Sequence, residues 1–192
     1  DDDDPQDMRR SLHAIERNAT HMSRLLNQLL SDASVIHRSN VPRFVPVDLA
    51  ETVHQALHEA LPQAGPTPVL QLAMTREPVW LQGDALLLRE AIKNLVDNAL
   101  KYGGDGPLQI ALTVEGTRAL LTIADRGPGI AAADAGRVFE RFARGEHAPA
   151  GGAGLGLAIV QRVVQAHGGS IDLGNRPDGG LVATLILPRN PT

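Results

Sequence analysis

Glu90-Ala-Ile-Lys-Asn94-Leu-Val-Asp-Asn98-Ala-Leu-Lys101-Tyr102 is the stretch that decides the reading of this chain. It closes a predicted helix over about 84–102, which Gly83-Asp84 opens. At about 100° per residue, Glu90, Asn94, Asn98 and Lys101 fall within about 80° of one another. Ala91, Ile92, Leu95, Val96, Ala99 and Leu100 take the rest of the wheel. Asn is a poor choice inside a helix, costing up to about 0.7 kcal/mol against Ala, and a merely solvated face would more naturally hold Glu, Lys and Gln. An amide offers a neutral oxygen to Mg²⁺, and a lysine offers a point charge to phosphate. This face therefore reads as one wall of a nucleotide pocket.

Three further segments follow in order. Asp125-Arg-Gly127-Pro-Gly129 ends an apolar strand. A carboxylate there can accept from an exocyclic amine, while Gly127 and Gly129 let the backbone approach a flat ring closely. On its own this would be an ordinary Asp-x-Gly turn. Gly152-Ala-Gly154-Leu-Gly156-Leu157 precedes a helix whose free N–H groups can receive phosphate. Its spacing is not the dinucleotide fingerprint, since Leu157 or Ile159 stands where the third glycine should be, and no Gly-Lys-Ser/Thr marks a P-loop. Between these lies Phe139-Glu-Arg-Phe142. Two phenylalanines more often mean core, but here they are expected to anchor the root of a mobile lid over 143–153, a run rich in Gly, Ala and Pro. Each segment alone is weak, and the ordered set is specific.

Composition narrows the alternatives. The 192 residues provide for one good core plus an appendage. Phe44, Trp80, Tyr102, Phe139 and Phe142 are the only aromatics, so Leu, Val, Ile and Ala must build the interior. A net charge of −4 with interspersed signs gives no basic patch, which argues against a nucleic-acid partner. The absence of cysteine excludes a disulfide scaffold and a thiolate metal site and suits a reducing cytosol. Apolar runs such as Leu155–Val160 fall far short of the roughly 20 residues of a membrane span, so no membrane contact is expected of this chain.

Ahead of the pocket, Met8, Ile15, Met22, Leu29 and Ile36 recur every seven residues, with Leu12, Ala19, Leu26 and Ala33 as a second series. This is an a/d seam on a helix on the order of 40 Å long, which needs a partner helix to bury its stripe. His13 and His21 then read as solvated helix residues. Val41-Pro42 and Pro46 punctuate the exit, which divides the chain into 1–40 and 41–192. A helix is predicted over 48–61 with Asp48 as N-cap, then strands over 68–74 and 78–82. A hairpin is predicted from 108–114 and 119–124, a helix over 154–167 capped by His167-Gly168-Gly169, and last strands over 170–174 and 181–187.

These residues resemble the catalytic and ATP-binding domain of two-component sensor histidine kinases, a fold shared with gyrase, Hsp90 and MutL. Asn94, Asn98, Lys101 and Tyr102 match the family's N box, Asp125-x-Gly127-Pro-Gly129 its first glycine box, Phe139 and Phe142 its F box, and Gly152-x-Gly154-Leu-Gly156-Leu157 its second glycine box. The resemblance covers about residues 44–188. It implies an α+β fold, a two-layer sandwich of a mixed sheet with helices on one face (the Bergerat type), preceded by a long amphipathic bundle helix. By the same resemblance ATP and Mg²⁺ would be bound, with Asn98 on the metal, Lys101 on phosphate and Asp125 on the adenine amino group. Asn94, Tyr102, Gly127, Gly129, Ile130, Gly152, Gly154, Leu155, Gly156 and Leu157 would line the nucleotide. The heptad segment resembles the second helix of the family's dimerisation and phosphoacceptor hairpin.

In the gyrase and Hsp90 branches the residue four before the metal-binding Asn is a water-activating Glu, whereas this chain has Asn94. An amide is not basic enough for that work, so transfer is favoured over hydrolysis and catalysis by Asn94, Asn98 and Lys101 would rest on positioning and charge neutralisation. The family's phosphoacceptor His, followed by an acid and Arg-Thr-Pro, has no counterpart here. His58-Glu59-Ala-Leu-Pro62 imitates it only superficially, on the domain's own first helix. The expectation is therefore a fragment of a longer protein-histidine kinase that binds ATP without phosphorylating itself efficiently. It would serve a histidine-bearing dimerisation domain and, through it, a response-regulator receiver domain. The parent would be a homodimer anchored in the bacterial inner membrane, with this part in the cytoplasm. The alternatives are a nucleotide-sensing or scaffold module without catalysis, and a protein-serine kinase or ATPase of the same fold.

Overall fold

A computed structural model describes residues 38–63, 69–143 and 154–189, with Ile15, Asn18, Ala19, Met22 and Val35 ahead of them. These last five are helical. Most of the heptad seam, together with His13 and His21, lies outside the described residues, as do residues 144–153 of the expected lid.

Strand β1 (Val45–Asp48) leads directly into helix α1 (Leu49–Ala60). Asp48 ends the one and caps the other, its Oδ1 accepting the N–H groups of Ala50 and Val79. Strands β2 (Leu70–Ala73) and β3 (Trp80–Gly83) follow, then the long helix α2 (Ala85–Tyr102). The expected hairpin is β4 (Leu108–Glu115) and β5 (Arg118–Ala124). Helix α3 (Gly156–Ala166) and strands β6 (Ser170–Asn175) and β7 (Leu181–Pro188) complete the order. At the C-terminus of α3, Gly168 has φ +70°. The Gly169 and Gly168 N–H groups reach the carbonyls of Val164 and Gln165, the Schellman pattern expected of a His-Gly-Gly ending.

The main sheet has five strands in the order β2-β4-β5-β7-β6. β2 runs parallel to β4 and the other pairs are antiparallel, which gives the mixed sheet that the resemblance implied. A parallel neighbour needs a long crossover, and β3 with α2 supplies it. Register places Ile110 opposite Ile123, and Leu112 opposite Leu121, which in turn faces Leu185. These residues and Leu187 are buried on one face, whereas Ala111, Thr122 and Thr184 on the other remain half-exposed. The helices cover the buried face, with α2 packed between α1 and α3. Its Leu88, Ile92 and Val96 are fully enclosed.

One element was not foreseen. β1 pairs with β3 as a separate two-stranded antiparallel ribbon. The four residues Val-Pro-Val-Asp are too short to show alternation, and Pro46 cannot donate to a ladder, so only the partner strand makes them a strand.

Candidate nucleotide-binding site

The site is organised along one side of α2. Asp84 opens this helix, accepting the N–H groups of Leu86 and Leu87 on Oδ1. Further along, Asn94 donates from Nδ2 to the Glu90 carbonyl at 2.9 Å. A Cβ built on Gly156 would stand 3.1 Å from Asn94 Oδ1 and 3.6 Å from Asn98 Nδ2. The glycine that begins α3 thus lies against both amides of α2, which the linear sequence separates by some sixty residues. Glu90, half-buried, is pushed above the usual carboxylate range by burial, against the opposing pull of Lys93 and Arg89. Lys101 is exposed, and its ammonium rests 5.1 Å from the centre of the Tyr102 ring, a cation–π contact.

The start of α3 is suited to an anion. Leu155 precedes the helix without a side-chain hydrogen bond to it, and the first return bond runs from the Ile159 N–H to the Leu155 carbonyl. The N–H groups of Gly156, Leu157 and Ala158 are the ones a helix N-terminus leaves free, where the dipole also favours negative charge.

At the far end of α2, a Cβ on Gly127 would collide with the Tyr102 carbonyl oxygen at 2.0 Å, so the first glycine box packs directly on the helix terminus. Asp125 is buried and its Oδ1 accepts two backbone N–H groups, from Gly127 at 2.9 Å and Leu181 at 3.0 Å. Among the described residues no donor reaches Oδ2. The carboxylate is therefore held by one oxygen and can offer the other to a ligand amine.

Phe142 corrects an expectation. It is 68% exposed, with φ +66°, so its ring is not packed down as an anchor for the root of the expected lid. What ties the root of the 143–153 segment is its backbone, since the Phe142 N–H donates to the Gly154 carbonyl at 2.9 Å. Phe139 is half-buried. Gly152 lies outside the described residues. His58 is exposed on α1.

Residues 83–191 match the family described as histidine kinase-, DNA gyrase B- and HSP90-like ATPase. This chain belongs to that family. Among curated relatives of the family, the sensor protein kinase PmrB of Pseudomonas aeruginosa is 35% identical over 97% of this chain and 40% of its own length. The sensor protein CutS of Streptomyces coelicolor is 36% identical over 90% of this chain and 41% of its own. The chain thus spans about two fifths of the relatives it matches. The mycobacterial sensor histidine kinase MprB superposes with a TM-score of 0.68 at 33% identity, over 78% of this chain and all of that one. Full-length ShkA in complex with AMPPNP gives 0.74 at 26% identity, over 96% of this chain and 39% of that one. Within the HSP90-like ATPase family, then, this is an ATP-binding catalytic domain of the sensor histidine kinase kind, with the expected α+β fold.

Asn175 escaped the sequence reading. Its side chain clasps the main chain of Ile130, Oδ1 accepting the N–H at 2.8 Å and Nδ2 donating to the carbonyl at 2.7 Å. Its only signal was an Asn closing a strand before a Pro/Asp/Gly turn, which reads locally as turn chemistry.

Proposed function

We propose that this chain is the donor side of a histidine autokinase, holding Mg²⁺-ATP and passing its γ-phosphoryl group to a histidine on a separate helical hairpin. The observation that carries the reading is the contact of Gly156 with Asn94 and Asn98, which sets a helix N-terminus, where anions are favoured, against two side-chain amides. Asp125, pinned through Oδ1, supplies a place for the adenine amino group some distance along the same helix. Among the described residues no cluster of three His, Cys, Asp or Glu side chains could cage an ion. A single amide oxygen from Asn98 would suit Mg²⁺, which keeps several waters and takes its remaining ligands from substrate phosphates. The metal would neutralise charge on the transferring group, and Lys101 would add a point charge on phosphate. Asn94 donates to a carbonyl and carries no basic atom, which supports transfer over water activation.

The division at residue 40 follows from the same reading, with 1–40 as a partial dimerisation helix and 41–192 as the catalytic domain. Its downstream partner would be a response-regulator aspartate. Among the described residues no helix is long and apolar enough to cross a membrane, and the cytoplasmic side of a membrane-anchored homodimer is the setting we assign to it.

Calorimetry with Mg²⁺-ATP tests the pocket. Asp125→Asn keeps the Oδ1 acceptor but can present a donor to the adenine amine, and at least about tenfold weaker binding is expected. Equal affinity in the variant would remove Asp125 from the base. Labelled ATP tests the transfer: label is expected on an added histidine-bearing hairpin domain, and acid-labile label on His58 would overturn the assignment.

A further inference from the structure

We propose that Asn175 is a positioning residue for the adenine end of the site, acting through the main chain of Ile130 beside Gly129. The inference rests on the reading of Asp125–Gly129 as the loop that meets the base. Three observations converge on it. The Asn175 amide holds both polar atoms of the Ile130 main chain, at 2.8 and 2.7 Å. Gly129 has φ +74°, and a Cβ there would stand 2.6 Å from Asn175 Oδ1, so the amide also lies flush against the glycine. Asn175 pairs across the β6–β7 hairpin with Leu181, whose N–H is one of the two donors on Asp125 Oδ1.

The end of one hairpin therefore sets two elements at once. Leu181 fixes the carboxylate that would read the amino group, and Asn175 fixes the Ile130 main chain beside which the ring would lie. The turn that joins them is itself closed, the Arg176 N–H donating to the Gly180 carbonyl and the Gly179 N–H to the Arg176 carbonyl. Gly180 leaves no space, since a Cβ there would meet the Asp125 carbonyl oxygen at 2.1 Å. A rigid hairpin end can hold the distance between shelf and carboxylate constant in a way that the 125–130 loop, with its two close-approach glycines, cannot do alone. Asn175 touches neither phosphate-side residue, Asn98 or Gly156, among the contacts described. Its effect should be confined to the base.

The experiment compares ATP, ADP and ITP, each with Mg²⁺, by calorimetry on wild type, Asn175→Ala and Asn175→Asp; ITP lacks the 6-amino group. Asn175→Ala is expected to bind ATP about fivefold more weakly, the range for losing two exposed hydrogen bonds. Its preference for ATP over ITP should narrow, while the ratio of ATP to ADP affinity stays as in wild type. Asn175→Asp keeps the acceptor for the Ile130 N–H and loses the donor, and an intermediate value is expected. Hydrogen exchange gives a readout without nucleotide, in which the Ile130 amide should exchange faster in Asn175→Ala. Unchanged ATP affinity, equal losses for ATP and ITP, or a shifted ATP to ADP ratio would each overturn the proposal. A wild-type protein that binds no ATP would instead sink the underlying nucleotide reading.

Discussion

Arg38 Nε lies 2.8 Å from Asp84 Oδ2, an ion pair between the last turn of the heptad segment and the residue that caps α2. The same oxygen accepts the Arg43 N–H at 3.0 Å, and Asp84's own N–H donates to His167 Nε2 at 2.9 Å on α3's C-cap. Phe44 stacks on that imidazole, and Arg162 reaches Ser39 Oγ and Asn40 Oδ1. Val35, just before, is buried in the domain core. The exit of the heptad segment is thereby joined to α2 and α3, the two helices that flank the candidate site.

Asp84→Ala is expected to lower stability by about 2 kcal/mol in urea denaturation, combining a lost N-cap with unpaired N–H groups. Arg38→Ala should cost no more than about 1 kcal/mol, because Arg38 is 38% exposed and its pairing is screened by water.

Acid should loosen this junction. Burial holds the His167 pKa below the ordinary value, opposed by the Val163 carbonyl and the Asp84 charge. The neutral ring is also the form the geometry requires, since Nε2 accepts from Asp84 N–H while Nδ1 faces the Val163 carbonyl. Its contribution is thus complete above the unfolded value of about 6.5 and is lost as pH falls through the folded one. Asp84 acts at lower pH. Burial works to raise its pKa, but bonds from Arg38, Arg43 and Leu87 outweigh that and leave it lowered. Thermal denaturation between pH 7 and 5.5 should show a falling midpoint, with a shallower fall in His167→Gln, which keeps an acceptor and cannot take the proton.

Gly156→Ala should separate folding from binding. Its Cβ would press on a flexible Asn94 side chain at 3.1 Å, and helix propensity favours Ala by up to about 1 kcal/mol. The variant should melt no lower than wild type yet bind Mg²⁺-ATP about tenfold more weakly, on the order of 1.4 kcal/mol. Calorimetry beside a thermal melt checks both halves.

Gly127→Ala should do both kinds of damage. Its Cβ would meet the Tyr102 carbonyl oxygen at 2.0 Å, and backbone at a helix end cannot rotate aside as a side chain can. A stability loss of about 2 kcal/mol is expected in urea denaturation, together with loss of ATP binding.

Most of the elements, and the segments that make up the candidate site, were legible because their signals are local. The period of apolar residues in α2, the Asp48 and Asp84 caps, and the Gly-rich turns all act within a few residues of where they are written. β1 was not legible, because a four-residue strand containing Pro46 exists only through its pairing with β3. Phe142, expected to anchor the root of the 143–153 segment, meets Gly154 through its backbone while its ring stays exposed, and no local pattern tells which of the two a phenylalanine will use.

By itself, then, the sequence determined the helices, the strands of the main sheet and the residue types of the candidate site, since periodicity, capping and turn chemistry are properties of neighbouring residues. Only the tertiary structure decided how they meet. The strand order, Gly156 against Asn94, Leu181 on Asp125, Asn175 around Ile130 and Arg38 on Asp84 all join residues distant along the chain. Such contacts arise from the packing of helices on a sheet, and no local pattern specifies which distant partner will fill the space.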